Sequence, residues 1–297
     1  MNIVKIIEDL NIGEVISNIN LRDYTTYKLE GTGLCLVSPD DVNSLIKLLK
    51  YLKTNNIKYK IIGNGSNLIF NDNYDGVLIK LDSFQNLEIV GNRIVVGAGY
   101  SLMKLALRVS RQGLTGMEFA TGIPGTVGGA VFMNAGAYKS DMGYIVSSIK
   151  VINPNLEVEI LENKELDFHY RTSFLQQNPD YICIEATIFL NKGDSKEIME
   201  LINERKIRRI ESQPLEYPSA GSVFRNPEGD FAGRLIESVG LKGKKVGDAM
   251  VSLKHANFII NTGHAHGSDI KKLINEIKDK VKEKYNIELK VEQEFVD

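Results

Sequence analysis

The 297-residue sequence has no apolar run that approaches the ~18 residues needed to span a membrane as a helix. Its first ten residues mix lysine and acidic side chains with apolar ones, so they lack the apolar core of a secretion signal. The two cysteines, Cys35 and Cys183, each lie in an apolar, strand-like run, which favours reduced, buried thiols over a disulfide. These absences predict a cytoplasmic protein without a membrane partner.

An excess of charge of one sign is also missing, since 36 Lys and Arg face 38 Asp and Glu. The net charge of −2 gives no indication of nucleic-acid binding. His264 and His266 lie in a glycine-flanked turn without partners at ligand spacing, so we predict no metal site. No serine occupies a Gly-x-Ser-x-Gly elbow, and no Gly-x-x-x-x-Gly-Lys-Ser/Thr run occurs, which argues against a catalytic triad and excludes a P-loop.

One uncharged segment, here called the glycine run (residues 120–138), contains five glycines and four alanines. Each glycine costs a helix about 1 kcal/mol relative to alanine, so the composition predicts no regular helix. Glycine allows close approach of the main chain to a ligand, and consecutive N–H groups bind anions such as a pyrophosphate. The alternative is an irregular core loop.

A second segment, here called the Gly63 loop (Gly63–Leu68), follows a predicted strand over 57–62. Leu68 stands where a dinucleotide fingerprint has its third glycine, and the next residues are turn-like, which argues against a Rossmann site. Alone, this loop is as typical of a plain turn as of a phosphate loop. Together with the glycine run it favours an extended dinucleotide held at two places.

Apolar periodicity predicts helices over 38–54, 101–112 and 196–211, the first with Ser38 as its cap. The basic cluster of the third helix is typical of a solvated face. Prolines at 214 and 218 then mark a linker. Beyond it the sequence predicts helices over 231–239 and 268–284 and strands over 257–260 and 287–296.

Three further positions carry candidate chemistry. Arg171 lies among aromatic residues, where a guanidinium either binds a carboxylate or phosphate ligand or forms a structural salt bridge. Ser222, in a loop of small residues, is either a turn residue or a catalyst. Glu292 and Glu294, two apart in a predicted strand, would share one face, ordinarily as solvated charges.

In chain order, these segments resemble the UDP-N-acetylenolpyruvoylglucosamine reductase family, also called UDP-N-acetylmuramate dehydrogenase. The resemblance covers nearly the whole chain. The short stretch after Ser222 is similar to the branch of the family that lacks an extra tyrosine-bearing substrate loop. The matching motifs are Thr25-Thr26-Tyr27, Gly63-Asn64-Gly65-Ser66-Asn67-Leu68, Gly122-Ile123-Pro124-Gly125-Thr126-Val127-Gly128-Gly129, Asn134-Ala135-Gly136-Ala137-Tyr138, Tyr170-Arg171-Thr172-Ser173, Pro218 to Pro227 and the segment around Glu292.

The resemblance implies an α+β flavoprotein of three domains, with a vanillyl-alcohol-oxidase-type FAD-binding fold and a small α/β substrate domain. With the composition it places FAD-binding subdomains at 1–83 and 84–212 and the substrate domain at 213–297. It further implies a non-covalent FAD, NADPH as co-substrate, and reduction of an enolpyruvyl UDP-sugar to UDP-N-acetylmuramate for peptidoglycan. No obligatory protein partner is implied.

The resemblance also assigns roles. Arg171, Ser222 as proton donor and Glu292 would be catalytic, with Glu294 an alternative to Glu292. Tyr138, Arg225 and Asn226 would bind substrate. The residues assigned to FAD are Gly63, Asn64, Gly65, Ser66, Asn67, Leu68, Gly122, Ile123, Pro124, Gly125, Thr126, Gly128, Gly129, Asn134, Ala135 and Gly136.

Two other functions remain open from the sequence. A flavin oxidase acting on an alcohol or sugar would keep the fold, but many such oxidases tether FAD through a histidine, and neither glycine segment contains one. A nucleotide-sugar-binding regulator without redox chemistry would be colourless and would consume no NADPH.

Overall fold

The computed structural model describes residues 3–297, which form a mixture of helices and sheets. The α-helices are α1 (Ile3–Asp9), α2 (Val42–Thr54), α3 (Leu102–Arg111), α4 (Val127–Phe132), α5 (Phe174–Gln177), α6 (Ser195–Ser212), α7 (Ala232–Ser238) and α8 (Gly267–Tyr285). Short 3-10 helices cover Leu21–Tyr24, Glu118–Gly122, Met142–Tyr144 and Asn163–Glu165. The strands are β1 (Gly13–Asn20), β2 (Thr32–Pro39), β3 (Tyr59–Ile62), β4 (Leu68–Phe70), β5 (Asn73–Lys80), β6 (Leu87–Val90), β7 (Arg93–Gly97), β8 (Leu114–Thr115), β9 (Gly136–Ala137), β10 (Ser140–Asp141), β11 (Val146–Ile152), β12 (Val158–Glu162), β13 (Ile182–Phe189), β14 (Asn191–Lys192), β15 (Lys245–Val246), β16 (Ala249–Val251), β17 (Ile259–Asn261) and β18 (Glu294–Val296).

The chain divides into two compact units. The first unit comprises the described residues up to Ser17 together with Cys35–Gly63 and Gly76–Lys206. The second unit comprises Asn18–Leu34, Asn64–Asp75 and Ile207–Asp297. The division into three domains at 83 and 212 stays a prediction.

The first unit contains an antiparallel sheet in the order β12-β11-β13-β7-β6. It also contains most of a second sheet, β1-β2-β5-β3, in which β3 and β5 run parallel. Helix α3 confirms the prediction for 101–112, because Ser101 caps it and Gly113 follows its end with a φ of +75°. The helix buries its apolar stripe, as expected for an amphipathic helix.

The predicted start of the helix over 38–54 was wrong. Ser38 and Pro39 end β2, and α2 begins at Val42. The cap is Asp41, whose carboxylate accepts a hydrogen bond from the main-chain N–H of Ser44 at 2.8 Å. Aspartate and serine are both good caps, so the sequence alone did not distinguish them.

The prediction that the glycine run forms no helix was also wrong for the six residues of α4. Thr126 caps this helix by accepting from the Gly129 N–H at 3.3 Å. A Cβ on Gly128 would lie 2.9 Å from the Cβ of Ala98, so glycine there permits close packing of α4. Tertiary packing thus outweighs the low helix propensity of glycine.

The second unit has a continuous apolar core beneath α7, α8 and the antiparallel sheet β15-β16-β17. The predicted final strand over 287–296 was too long, since β18 begins at Glu294 and pairs in parallel with β4. Just before it, the buried side chain of Gln293 accepts from Tyr27 at 3.0 Å and donates to the Ala220 carbonyl at 2.9 Å. Gln293 thus bonds to Tyr27 and Ala220, and the segment before Glu294 is irregular where a longer strand was predicted.

Cys35 and Cys183 are free and buried, which confirms the prediction of reduced thiols. Desolvation raises the pKa of Cys35 to about 11 and that of Cys183 to about 12, so neither is a reactive thiolate. Among the helices of residues 3–297, none has both the length and the apolar character required to cross a bilayer.

Candidate active site

The glycine run folds as a 3-10 turn, the link Ile123-Pro124, the cap Thr126 and then α4. Its main-chain donors are largely used within the first unit. The Gly125 N–H bonds to the Ile123 carbonyl at 2.9 Å, and the Gly128 N–H bonds to the Ala98 carbonyl at 2.8 Å. The contacts of the run with FAD therefore stay a prediction, and these two N–H groups already have partners.

The end of the run is held by Asn134, which is buried and has a left-handed φ of +40°. Its amide nitrogen donates to the His169 carbonyl at 2.8 Å, and its amide oxygen accepts from the Gly143 N–H at 2.9 Å. The Ala135 N–H bonds back to the Ala130 carbonyl at 2.8 Å. Asn134 thereby joins the end of the glycine run to the segment that carries Arg171.

Arg171 lies against the end of the run. Its Nη2 donates to the Gly136 carbonyl at 2.7 Å, and its guanidinium lies 5.3 Å from the ring centre of Tyr170. The residue itself has a left-handed φ of +57°, a conformation that costs free energy in a non-glycine residue. The sequence predicted either an anionic ligand or a structural salt bridge for Arg171 and did not indicate this bond to the glycine run, and the catalytic role of Arg171 stays a proposal.

Sequence reasoning missed Asp141. It pairs with Gly136 across the hairpin β9–β10 and accepts from the Gly143 N–H at 3.0 Å. Desolvation raises its pKa, while hydrogen bonds and the charge of Arg171 act in the opposite direction. The signal in the sequence was its position three residues after Tyr138, just beyond the end of that motif.

Tyr138 occupies the turn of this hairpin, where Tyr138 and Lys139 both have left-handed φ angles. The guanidinium of Arg205 lies 4.4 Å from the ring centre of Tyr138. At that distance the pair forms a cation–π contact. Arg205 was predicted to belong to a solvated face, and this contact adds a role that the sequence did not indicate.

The Gly63 loop begins in the first unit, where a Cβ on Gly63 would lie 2.6 Å from Oγ1 of Thr126. Its remaining residues belong to the second unit. Gly65 has a φ of +60°, and a Cβ there would lie 2.1 Å from the Tyr24 carbonyl oxygen. Within residues 3–297, the N–H groups of Gly65 and Ser66 donate no hydrogen bond to the protein.

Asn67 connects the Gly63 loop to the C-terminal segment of the same unit. Its side chain donates to the Glu292 carbonyl at 3.2 Å, and its own carbonyl accepts from the Glu294 N–H at 2.9 Å. The next residue, Leu68, begins β4 and pairs with Glu294 of β18. Because β18 starts only at Glu294, the prediction that Glu292 and Glu294 share a strand face was wrong.

Ser222 and Glu292 are brought together by their neighbours. The Glu292 N–H donates to the Val223 carbonyl at 2.8 Å, and the Val223 N–H donates to the Asn257 carbonyl at 2.9 Å. Phe224 is held on both sides by the side chain of Asn257. Ser222 directly precedes the hydrogen-bonded residues Val223 and Phe224 and is partly exposed.

The two predicted substrate residues follow in the same loop. The Arg225 N–H donates to the Lys290 carbonyl at 2.9 Å, which continues the pairing with the C-terminal segment. The amide oxygen of Asn226 accepts from the Ala232 N–H at 3.1 Å, at the start of α7. The amide nitrogen of Asn226 donates no hydrogen bond within the described chain, so it can donate to a ligand.

The Gly63 loop fits the phosphates of FAD. It offers the main-chain donors of Gly65 and Ser66, and successive N–H groups in a turn favour an anion. Nearby, the hydroxyls of Thr25 and Thr26 are buried without a hydrogen-bond partner. No group of three or more His, Cys, Asp and Glu residues in the described chain is arranged to hold a metal ion.

Comparisons with known proteins show two matching family models and several full-length relatives. The family described as FAD binding domain matches residues 34–161, and that described as UDP-N-acetylenolpyruvoylglucosamine reductase, C-terminal domain, matches residues 213–296. The UDP-N-acetylenolpyruvoylglucosamine reductase of Halalkalibacterium halodurans is 44% identical over 99% of this chain and 98% of its own length. That of Bacillus subtilis is 40% identical over 98% of each chain.

A crystal structure of the corresponding reductase from Thermus caldophilus has a TM-score of 0.81 and 35% identity. It covers 96% of this chain and 98% of its own. The prediction of an α+β fold with an FAD-binding region is confirmed.

Proposed function

Because the chain belongs to the UDP-N-acetylenolpyruvoylglucosamine reductase family, we propose that it reduces an enolpyruvyl UDP-N-acetylglucosamine to UDP-N-acetylmuramate, with FAD as cofactor and NADPH as reductant. The observation that carries this proposal is the presence of both an FAD-binding match and a reductase C-terminal match in one chain. Relatives of that name align with almost the whole sequence. The reaction supplies a precursor of peptidoglycan, and a cytoplasmic location remains part of the proposal.

FAD is proposed to bind through its phosphates at the Gly63 loop and through further contacts with the glycine run. When bound, FAD passes a hydride equivalent from NADPH to the CH2 carbon of the enolpyruvyl group. Protein groups must then manage the negative charge that develops at the α-carbon and the substrate carboxylate.

Arg171 is proposed to stabilise that charge. Its bond to the Gly136 carbonyl and its contact with Tyr170 orient the guanidinium before the substrate arrives. A guanidinium can also bind a carboxylate through two parallel hydrogen bonds. Glu292 is proposed to assist beside the carboxylate, and Glu294 remains the alternative.

Ser222 is proposed to donate the proton that completes the reaction at the α-carbon. A serine hydroxyl is a weak acid, so it can act only on a strongly basic carbanion and from a well-positioned site. The bonds of Val223 to Glu292 and Asn257 support such positioning. Tyr138, Arg225 and the free amide nitrogen of Asn226 are proposed to bind the UDP-sugar.

An absorbance spectrum of the purified protein, followed by NADPH oxidation with the enolpyruvyl substrate, tests the function. We expect a yellow protein, flavin released to the supernatant by acid precipitation, and NADPH consumption that requires the substrate. A colourless protein that consumes no NADPH would favour a non-catalytic nucleotide-sugar-binding role. Flavin retained in the acid pellet would favour a covalent flavin oxidase.

A further inference from the structure

Two adjacent hydroxyl groups in the second unit are buried without any hydrogen-bond partner. They are Oγ1 of Thr25, a residue that is 6% exposed, and Oγ1 of Thr26. Buried hydroxyls almost always have a partner, because removing them from water otherwise costs free energy. Two such groups at consecutive positions therefore indicate acceptors that are supplied from outside the chain.

These threonines are in direct contact with the Gly63 loop. The Thr26 N–H donates to the Gly65 carbonyl at 3.3 Å. A Cβ on Gly65 would lie 2.8 Å from the Cα of Thr25, so the two segments approach as closely as only glycine permits. The main chain of both threonines thus lies against the loop that carries the donors of Gly65 and Ser66.

The segment that carries the threonines is firmly held. The next residue, Tyr27, is fully buried and donates through its hydroxyl to Gln293 at 3.0 Å. Its carbonyl accepts from the side chain of Asn261 at 3.0 Å. Anchored main chain on this side gives the hydroxyls a defined position, which a ligand-binding group requires.

Ser110 is the other buried side-chain hydroxyl without a partner in the described chain, and its setting differs. It lies within α3, where a serine hydroxyl can reach the carbonyl four residues earlier by rotation about χ1. Thr25, by contrast, follows the end of the 3-10 helix Leu21–Tyr24 and has an extended main chain, with φ −132° and ψ 147°, so it does not lie within a helix. Ser110 therefore serves as a matched control.

We propose that the hydroxyls of Thr25 and Thr26 donate hydrogen bonds to the phosphates of bound FAD, beside the N–H groups of Gly65 and Ser66. Phosphate oxygens are strong acceptors, and a hydrogen bond to a charged acceptor is stronger than one between neutral groups. This inference rests on the proposed function, because FAD is the ligand that the family match supplies. It adds two binding residues to the set assigned from the motifs.

Thr25→Val and Thr26→Val test it, because valine keeps the shape of threonine and removes only the hydroxyl. FAD affinity of the full-length apoprotein is measured by titration and flavin fluorescence. We expect each change to weaken FAD binding about tenfold, the size of one hydrogen bond to a charged group. Thr25→Ser and Thr26→Ser should keep most of the affinity, and Ser110→Ala should leave it unchanged.

A second readout separates binding from structure. The melting temperature of the apoprotein should stay the same or rise in both valine variants, because an unpartnered buried hydroxyl is removed. A fall in apoprotein melting temperature that accompanies the loss of affinity would assign the threonines a structural role and overturn the proposal.

Competition by ADP tests the phosphate assignment. If the hydroxyls bind the phosphates, the valine substitutions should lower the affinities for ADP and for FAD by similar factors. A lower affinity for FAD with an unchanged affinity for ADP would assign the contact to the flavin part of FAD and contradict the phosphate contact. Unchanged affinity for both would overturn the inference alone, whereas a wild-type protein that binds no FAD would refute the proposed function itself.

Discussion

In the glycine run, the main-chain N–H groups of Gly125, Gly128 and Gly129 all donate to acceptors within the first unit. In the Gly63 loop, by contrast, the N–H groups of Gly65 and Ser66 donate to no acceptor in residues 3–297. These three donors of the glycine run are thus already used, whereas the two donors of the Gly63 loop are available for an anion. We therefore propose the shorter loop as the phosphate site.

The difference shows that glycine has two separate uses in this chain. In the glycine run, missing side chains allow packing, since a Cβ on Gly136 would lie 2.4 Å from the Cβ of Asp141. In the Gly63 loop, Gly65 has a left-handed φ, and we propose that this conformation presents the main chain to a ligand. Glycine density alone therefore does not identify the phosphate contact.

Gly65→Val should have the largest effect on the cofactor. The side chain would meet the Tyr24 carbonyl and must adopt a φ of +60°, at a cost of at least ~1–3 kcal/mol. We expect a purified protein without flavin. Gly91→Val is the matched control, because Gly91 has a φ of +61° and open space around its Cβ position. Retention of stoichiometric FAD by Gly65→Val would contradict the assignment of the loop.

Gly129→Val tests whether the glycine run also approaches FAD. A Cβ there meets only Oγ1 of Thr126, at 3.4 Å, so the apoprotein should keep its stability within ~1 kcal/mol. Flavin binding should nevertheless be lost, because the branched side chain would occupy the space of the ligand. Gly128→Val provides the contrast, since its clash with Ala98 should lower apoprotein stability by ~1–3 kcal/mol. If Gly129→Val binds FAD normally, the run has a packing role only.

Asp141→Asn should have the smallest effect. Its carboxylate lies beside Gly136 and interacts with the charge of Arg171, so we expect the substrate-dependent step to slow by about tenfold, or about 1.4 kcal/mol. The NADPH-dependent change in flavin absorbance should keep its rate. Equal slowing of both steps in stopped-flow measurements would contradict a role that Asp141 exerts through the charge of Arg171.

The same variant has a signature in stability. Burial raises the pKa of Asp141 above its ordinary 3.8, so the folded state binds the proton more tightly than the unfolded state. The contribution of Asp141 to stability is therefore present below that ordinary pKa and is lost as the pH rises through the raised value. At neutral pH, Asp141→Asn should be at least as stable as the wild type in urea unfolding.

Local patterns predicted much of the secondary structure. The amphipathic stripe and Ser101 located α3, and the two C-terminal helices α7 and α8 were also predicted. The start of α2 was missed because both Ser38 and Asp41 can cap a helix. Helix α4 was missed because its stability comes from packing against Ala98, which is distant in sequence.

Candidate site residues could be named from the sequence where a motif carries their chemistry. Arg171 and the Gly63 loop were named in this way, and their roles stay a prediction. The contact of Arg205 with Tyr138 and the burial of Thr25 and Thr26 against the Gly63 loop depend on segments that lie far apart along the chain. Such contacts leave no periodic pattern in the sequence, so these contacts could be identified only from the three-dimensional structure.

The central claim is that Ser222 supplies the α-proton and takes no part in the NADPH step. Stopped-flow absorbance of Ser222→Ala measures both steps in one protein. We expect FAD content and the NADPH-dependent fall in flavin absorbance to remain near normal. Recovery of that absorbance on adding the enolpyruvyl substrate should slow by ~10²-fold to 10⁴-fold, as for loss of a positioned acid. Equal slowing of the two steps would contradict the claim and make Ser222 a structural turn residue.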